Sequence, residues 1–307
     1  MPINLEGSDP VFRGTRPGAG VDELVEWARL QLNIGPDRPW RVMSSRQKLG
    51  KTLFEIDECG KRIIGKVSLS ERAQRTFAKL STLWNAGMRP PSKCIVTEPL
   101  GWLPERHLLL QCKAEGIQLI DRIRERSPRA IDGAVQAGQW LHALQGLAVQ
   151  VSPPAPPDLE RCRTELSEVL PDEARRLDGI ADSLDLASGE PLVPSHGDYH
   201  PLNIFLAEDG TVTVNALDTF AAREPAADTG YCLAQMAIMG HHVLGGFNAT
   251  AEVRTAFQHA APSAPEERID TNIRWAFLRS LHYDLCILKI RERGHVEPFL
   301  AVAERGL

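Results

Sequence analysis

The feature that most limits how this 307-residue chain can fold is a change of texture near Gly116. Before it, apolar residues come in short runs with strand-like alternation, broken by Gly and Pro. Trp40–Met43, Thr52–Asp57 and Arg62–Ser68 read as three strands, with Cys59-Gly60 turning the last two. Ser70–Ala86 reads as a helix, with Ala73, Phe77, Leu80 and Trp84 at helical spacing and Gly87 as its stop. Lys93–Thr97 and His107–Cys112 read as two further strands, joined through Pro99, Gly101 and Pro104. After Gly116 the periodicity is helical, except for a β island over residues 191–218. Helices are predicted over 117–126, 130–147, parts of 158–190, 226–246, 249–261 and 266–293. The expected class is α+β: a small five-stranded antiparallel lobe with one helix, then a larger helical lobe with an embedded hairpin. The predicted divisions are 1–34, an extension with a helix at Val21–Asn33; 35–113, the small lobe; and 114–307, the helical lobe. Residues 1–20, rich in Gly and Pro, read as irregular.

Composition narrows the function classes. A 43% hydrophobic chain of this length can bury a sizeable core. Net charge is -5 and no long basic block occurs, so a nucleic-acid partner is not expected. The six cysteines are scattered without a Cys-x-x-Cys pair, which fits reduced thiols rather than a zinc ribbon or disulfide framework. The first nine residues lack the apolar stretch of a secretory signal, and no apolar run nears the roughly 20 residues that span a bilayer. A cytoplasmic protein without a membrane partner is expected; oligomeric state is not legible.

The chemistry concentrates in His196-Gly197-Asp198-Tyr199-His200-Pro201-Leu202-Asn203. Ile204–Ala207, a Glu208-Asp209-Gly210 turn and Thr211–Leu217 follow, and read as a hairpin. Folding it would bring Asn203, before the first strand, opposite Asp218, after the second. A carboxylate and an amide oxygen would then converge, with Asp198 one loop away. Hard oxygen ligands of this kind suit Mg²⁺, and phosphoryl transfer needs an acceptor for the nucleophile's proton.

The run HGDYHPLNIF, followed by ALDTFAAREPAADTGYCLAQ, resembles the aminoglycoside phosphotransferase and choline kinase-like superfamily, which has a protein-kinase-like fold. The resemblance covers the architecture from about residue 40 onward and is most specific over residues 195–231. It implies a kinase that moves the γ-phosphate of ATP or GTP to a hydroxyl of an aminoglycoside, amino alcohol, sugar or related small molecule. It makes Asp198 the catalytic base, Asn203 and Asp218 the Mg²⁺ ligands, and Asp228 and His196 supports of the catalytic loop. Lys66, on the third strand, stands where such a fold keeps its phosphate-gripping lysine. Ser44, Ser45 and Lys48 fall where the phosphate-covering loop belongs, though no Gly-x-Gly-x-x-Gly pattern is present. Cys112 to Ala114 would offer backbone groups to the base. The family register puts Thr76 where the helix glutamate that orients the lysine usually stands: either Glu71, in the first turn of the helix, takes that role, or Lys66 is oriented differently, or the nucleotide site is weakened. His200 can contact the acceptor or bond within its own loop. His142 reads as a packed helical histidine.

Two alternatives stand beside this reading. A nucleotide-binding pseudokinase would explain the degenerate loop and the missing glutamate. A metallohydrolase would use His196, Asp198 and His200 as a metal cluster. The acidity of residues 158–190 would suit a cationic acceptor, but a solvated helix face explains the same charges and is the favoured explanation.

Overall fold

The structure is a computed structural model that describes residues 21–35, 38–48, 51–68, 71–187 and 189–307. The readings made for residues 1–20, for Leu49-Gly50 and for the helix start at Ser70 lie outside the described residues. The chain forms two compact units. One holds the described residues up to Gly116 together with Ala207–Asp218; the other holds Ile117–Leu206 and Thr219–Leu307.

In the first unit, α1 (Val21–Gln31) leads to β1 (Trp40–Lys48), β2 (Lys51–Glu58) and β3 (Lys61–Ser68). The β2–β3 turn has Cys59 at φ 51° and Gly60 at φ 89°. Two positive φ values match the right-handed twist of a hairpin, and glycine adopts one without strain. After α2 (Arg72–Asn85) and β4 (Cys94–Val96) come β5 (Pro99–Leu103) and β6 (Leu108–Cys112). The antiparallel sheet runs β1-β2-β3-β6-β5. Leu24, Val25 and Ala28 of α1 pack with Phe54, Ile56, Ile63, Val67, Leu108 and Leu110. Those strand positions alternate, so Lys66 points to the opposite face.

Five strands are present as expected, but their membership differs. β4 does not join this sheet; it pairs in parallel with β10 (Val212–Val214). The fifth strand is β5, in the segment read as a connection. Pro99 begins it at the sheet edge, where a missing N–H costs no ladder bond, and the register shifts between Pro99 and Gly101. The face of α2 also differs. Ala73, Thr76, Leu80 and Leu83 are buried, while Phe77 and Trp84 are half-buried. Both sets fit helical spacing, and the packing selects the one that turns Thr76 inward.

Gly65 shows how tightly the sheet is packed. It lies directly across from Phe54, and a Cβ there would sit 2.1 Å from the Phe54 ring. Gly65→Ala is therefore expected to destabilise the protein by about 1–3 kcal/mol through overpacking, with part of the loss recovered by Phe54→Leu in the double variant. Urea midpoints of the four proteins measure this.

The second unit is mainly helical. It contains β7 (Ile117–Gln118), α3 (Leu119–Arg124), α4 (Arg129–Gln145), α5 (Leu159–Val169), α6 (Ala174–Ser183), β8 (Val193–Ser195) and β9 (Ile204–Leu206). After β10 in the first unit, β11 (Ala221–Arg223), α7 (Ala226–Leu244), α8 (Ala251–Ala260) and α9 (Glu266–His282) follow. β7 pairs antiparallel with β9, and β8 with β11. The helix expected over 266–293 stops earlier: α9 ends in a π-helical turn, Tyr283–Ile287. A further helix, α10 (Val296–Arg305), buries Val296, Phe299, Leu300 and Ala303. His142 is exposed on α4, not packed as expected. Among the described residues no helix is long and apolar enough to cross a membrane.

Asp284, in the π-helical turn, has Oδ2 3.5 Å from His295 Nε2. Burial pushes the Asp284 carboxyl up to about 6, and burial first, then His241 and Arg293, pushes His295 down. Both groups are thus held toward their neutral forms. A folded pKa above the unfolded value of about 3.9 means the native state binds the proton more tightly. That stabilisation is complete below pH about 4 and is lost as pH rises through about 6. Asp284→Asn should therefore raise stability at pH 7 by roughly 1–3 kcal/mol and leave it nearly unchanged at pH 4. Thermal unfolding at the two pH values measures the difference.

Candidate active site

β8 delivers the chain into the loop of residues 196–203, and the bonds at its start set its shape. Asp228, in the first turn of α7 and 1% exposed, accepts the backbone N–H of His196 at 2.5 Å and of Gly197 at 2.7 Å. Gly197 has φ 80°, a turn that glycine makes without strain, and the Arg223 guanidinium packs where its Cβ would be. His196 is fully buried. Its Nδ1 accepts the Asp198 N–H at 3.2 Å, and Thr219 Oγ1 donates to its carbonyl at 2.9 Å. Tyr199, also fully buried, stacks on Trp140 and donates its hydroxyl to the Ala137 carbonyl at 2.7 Å. These anchors alternate with Asp198 and His200, whose side chains carry the polar chemistry.

Asp198 keeps about a third of its side chain exposed. Tyr231 Oη donates to its Oδ1 at 3.0 Å. Asn203 Nδ2 donates to its carbonyl at 2.9 Å and lies 3.4 Å from Oδ2. His200 Nε2 is 3.6 Å from Oδ2, an ion-pair distance rather than a hydrogen bond. The ring instead meets Asn203 Nδ2 at 3.0 Å. Burial pushes the Asp198 carboxyl up, but His200, His196 and the Tyr231 hydroxyl outweigh it and hold the group well below the usual carboxylate range. Asp198 is therefore an ionised acceptor with an oriented carboxylate. The Tyr231 hydroxyl is pushed up, by burial first and then by the Asp198 charge, so it remains a donor.

Asp218 belongs to the first unit, in the 3₁₀ turn Leu217–Thr219. Its Oδ1 is 2.7 Å from Thr76 Oγ1, its Oδ2 is 2.8 Å from Arg72 Nε, and its carbonyl accepts from Lys79 Nζ at 2.7 Å. Thr76 has one proton and a second acceptor, the Arg72 carbonyl at 2.9 Å. Thr76, noted in the sequence only for the glutamate it replaces, is thus a partner of Asp218. Glu71 is exposed and pairs with Arg75 at 3.1 Å.

The other sequence-predicted residues are placed as follows. Lys66 is half-buried on β3 opposite Leu53 and Leu109. Ser44 and Ser45 are exposed on β1, opposite Glu55 and Phe54. They lie within a strand, not in the connecting loop the sequence implied, because β1 continues to Lys48, paired with Lys51. The side chain of Lys48 lies outside the described residues. Cys112 and Lys113 donate their N–H groups to the carbonyls of Glu98 and Arg62, both at 2.9 Å, and Ala114 is buried next to them. The Cys112 thiol, pushed up to about 12 by burial and then by Glu98, is a neutral donor to Glu98. Among the described residues, the group of three or more metal-binding side chains with converging ligand atoms is Glu165, His282 and Cys286. The His196, Asp198 and His200 cluster proposed for a metallohydrolase does not converge in this way, since the His196 ring is turned to the loop backbone.

Sequence reading missed Tyr231, Arg223 and Arg279. Tyr231 follows Asp228 by three residues on α7, so one helical face presents both toward the loop. That spacing was visible in the sequence. Arg279, on α9, has its guanidinium 5.4 Å from the centre of the Tyr231 ring. No sequence pattern links those two positions.

No family model and no curated protein sequence matches this chain. Solved structures do match in fold. A spectinomycin phosphotransferase in complex with ADP and spectinomycin superposes with a TM-score of 0.60 at 10% identity, over 92% of this chain and 93% of that one. A choline/ethanolamine kinase family protein from Mesorhizobium loti gives 0.58 at 17% identity, over 91% and 93%. The GDP complex of an aminoglycoside 2'-phosphotransferase gives 0.54 at 14% identity, over 92% and 97%. With its five-stranded antiparallel sheet and its helical unit, the chain has the fold of these solved phosphotransferase and kinase structures.

Proposed function

We propose that this protein is a small-molecule kinase that transfers the γ-phosphoryl group of ATP or GTP to a hydroxyl. The observation that carries the reading is the Asp198 carboxylate, ionised, part-exposed, and oriented by Tyr231 and Asn203 in a loop that Asp228 locks. The acceptor oxygen attacks the γ-phosphorus, the bond to the β-phosphate bridging oxygen breaks, and the nucleoside diphosphate leaves. The hydroxyl proton passes to Asp198. Nucleotide complexes of proteins with this fold support the cosubstrate class.

Each unit carries an oxygen ligand of the type Mg²⁺ takes: Asn203 in the second uses its amide nitrogen within its own loop, which leaves its amide oxygen available, and Asp218 in the first has a carboxylate. When bound, the ion neutralises charge on the β- and γ-phosphates. Lys66 would hold the phosphates, Ser44 and Ser45 would donate to them, and the backbone from Cys112 to Ala114 would meet the base. His196 and Asp228 act as loop supports, and His200 fixes Asn203. A screen of nucleotide consumption over hydroxylated metabolites and aminoglycosides, with Asp198→Ala as the blank, tests the reading. Turnover that survives in Asp198→Ala would sink it.

One observation favours a second reading, a nucleotide-binding pseudokinase. Arg72 Nε occupies Asp218 Oδ2 at 2.8 Å, so a cation of the protein already sits on the proposed ligand. Calorimetry that finds Mg²⁺–nucleotide binding, with no turnover on any hydroxylated compound, would decide for it.

A further inference from the structure

The polar surroundings of Asp198 in the second unit bear on the acceptor. Several carboxylates of the acidic stretch that a cationic acceptor would need are paired with cations of the protein. Glu160 and Asp178 pair with Arg163, Glu165 with Arg161 and His282, and Glu173 with Arg176. Glu224 is enclosed by Arg268 and Asn272. These carboxylates face protein cations and not an open acceptor site.

An arginine also stands beside the tyrosine that bonds the reacting carboxylate. Arg279 is exposed and lies over the ring of Tyr231, whose hydroxyl is on Asp198. The His200 ring packs edge-on to the same tyrosine, with centroids 6.4 Å apart. No carboxylate among the described residues pairs with Arg279. Asp198 does not need it either, since Tyr231, Asn203 and His200 already surround that carboxylate. Arg223 lies behind the loop, donates to the Thr219 carbonyl at 2.9 Å, and has a buried Nη1 without a hydrogen-bond partner. Burial depresses Arg223, Asp228 and Asp198 oppose this, and Arg279 adds to the depression, so the two guanidiniums feel each other. Asp198 and Asp228 offset the charges of the two arginines; what sets Arg279 apart is that it is exposed over Tyr231 and makes no hydrogen bond or ion pair to a carboxylate among the described residues. A planar guanidinium placed in this way can hold a ligand carboxylate or phosphate through paired N–H bonds.

We infer that the acceptor carries an anionic group, a carboxylate or a phosphate, a few bonds from its reacting hydroxyl, and that Arg279 binds that group while the hydroxyl meets Asp198 beside Tyr231. The acceptor class is then hydroxy acids, sugar acids or sugar phosphates, not choline-like or aminoglycoside cations. The inference rests on the kinase reading and deepens it.

The full-length protein with Mg²⁺ and ATP or GTP is assayed for nucleotide consumption on two panels. One holds glycerate, gluconate, glycerol 3-phosphate and glucose 6-phosphate; the other holds choline, ethanolamine and spectinomycin. The expected result is Asp198-dependent turnover within the anionic panel. Arg279→Glu should raise KM for that acceptor at least about tenfold, leave KM for the nucleotide unchanged, and leave the melting temperature intact because the residue is exposed. Arg279→Lys should recover part of the loss, since it restores charge without the fork. Turnover on the cationic panel, or an anionic-acceptor KM indifferent to Arg279→Glu, overturns the acceptor inference and leaves the kinase reading standing. Absence of Asp198-dependent turnover on both panels overturns the kinase reading and the inference with it.

Discussion

Replacing Asp198 by alanine is expected to lower phosphoryl transfer by about 10²–10⁴-fold, the usual worth of a positioned proton acceptor. Nucleotide affinity should change by less than about threefold, because the proposed role of Asp198 is toward the acceptor hydroxyl. The carboxylate is oriented by Tyr231 at Oδ1, and the loop around it is anchored independently by Asp228, His196 and Tyr199. Those anchors use backbone groups that alanine retains, so the variant should fold. Asp198→Asn separates basicity from shape. It keeps an oxygen for Tyr231 and cannot take the proton, so it should be as inactive as alanine. Single-turnover assays with calorimetric nucleotide titrations check this. Equal loss of nucleotide binding and turnover would show that Asp198 acts on the nucleotide side instead.

Asp218→Ala should have an effect of similar size through a different route. The Mg²⁺-dependent part of nucleotide binding should disappear, and turnover should fall by roughly 10³-fold or more if the ion's charge is required. The structural cost should be modest, on the order of 0.5–1.5 kcal/mol, because Thr76 can donate fully to the Arg72 carbonyl and Lys79 keeps its bond to the backbone of residue 218. Asp218→Asn retains an acceptor for Thr76 and should therefore be close to wild type in stability. It loses the charge, so its Mg²⁺ dependence should fail as it does in alanine. Nucleotide titrations with and without Mg²⁺, beside denaturant melts, separate the two contributions. An Asp218→Asn protein that binds Mg²⁺–nucleotide normally would remove Asp218 from the ligand set.

How much was legible differs between the fold and the site. The β2–β3 turn was readable because Cys59-Gly60 is local turn chemistry. The strand at Pro99–Leu103 was not readable, because proline and glycine argue against a strand unless it lies at an edge. The burial of Thr76 was hidden by a helix whose spacing fits two overlapping faces. In the site, Asp198 and Asn203 were singled out by spacing and Asp228 by the family resemblance, while Tyr231 was not singled out.

The sequence by itself determined the class of architecture, the loop of residues 196–203 and the oxygen-rich residue types in it. Periodicity and turn residues act over a few positions, so they can be read without neighbours. Only the tertiary structure decided that Thr76 and Arg72 hold Asp218, that Tyr231 orients Asp198, and that Arg279 stands over that tyrosine. Each of those contacts joins residues dozens of positions apart or more. Which side chains meet across such distances is set by how helices and strands pack, and packing depends on the whole chain at once.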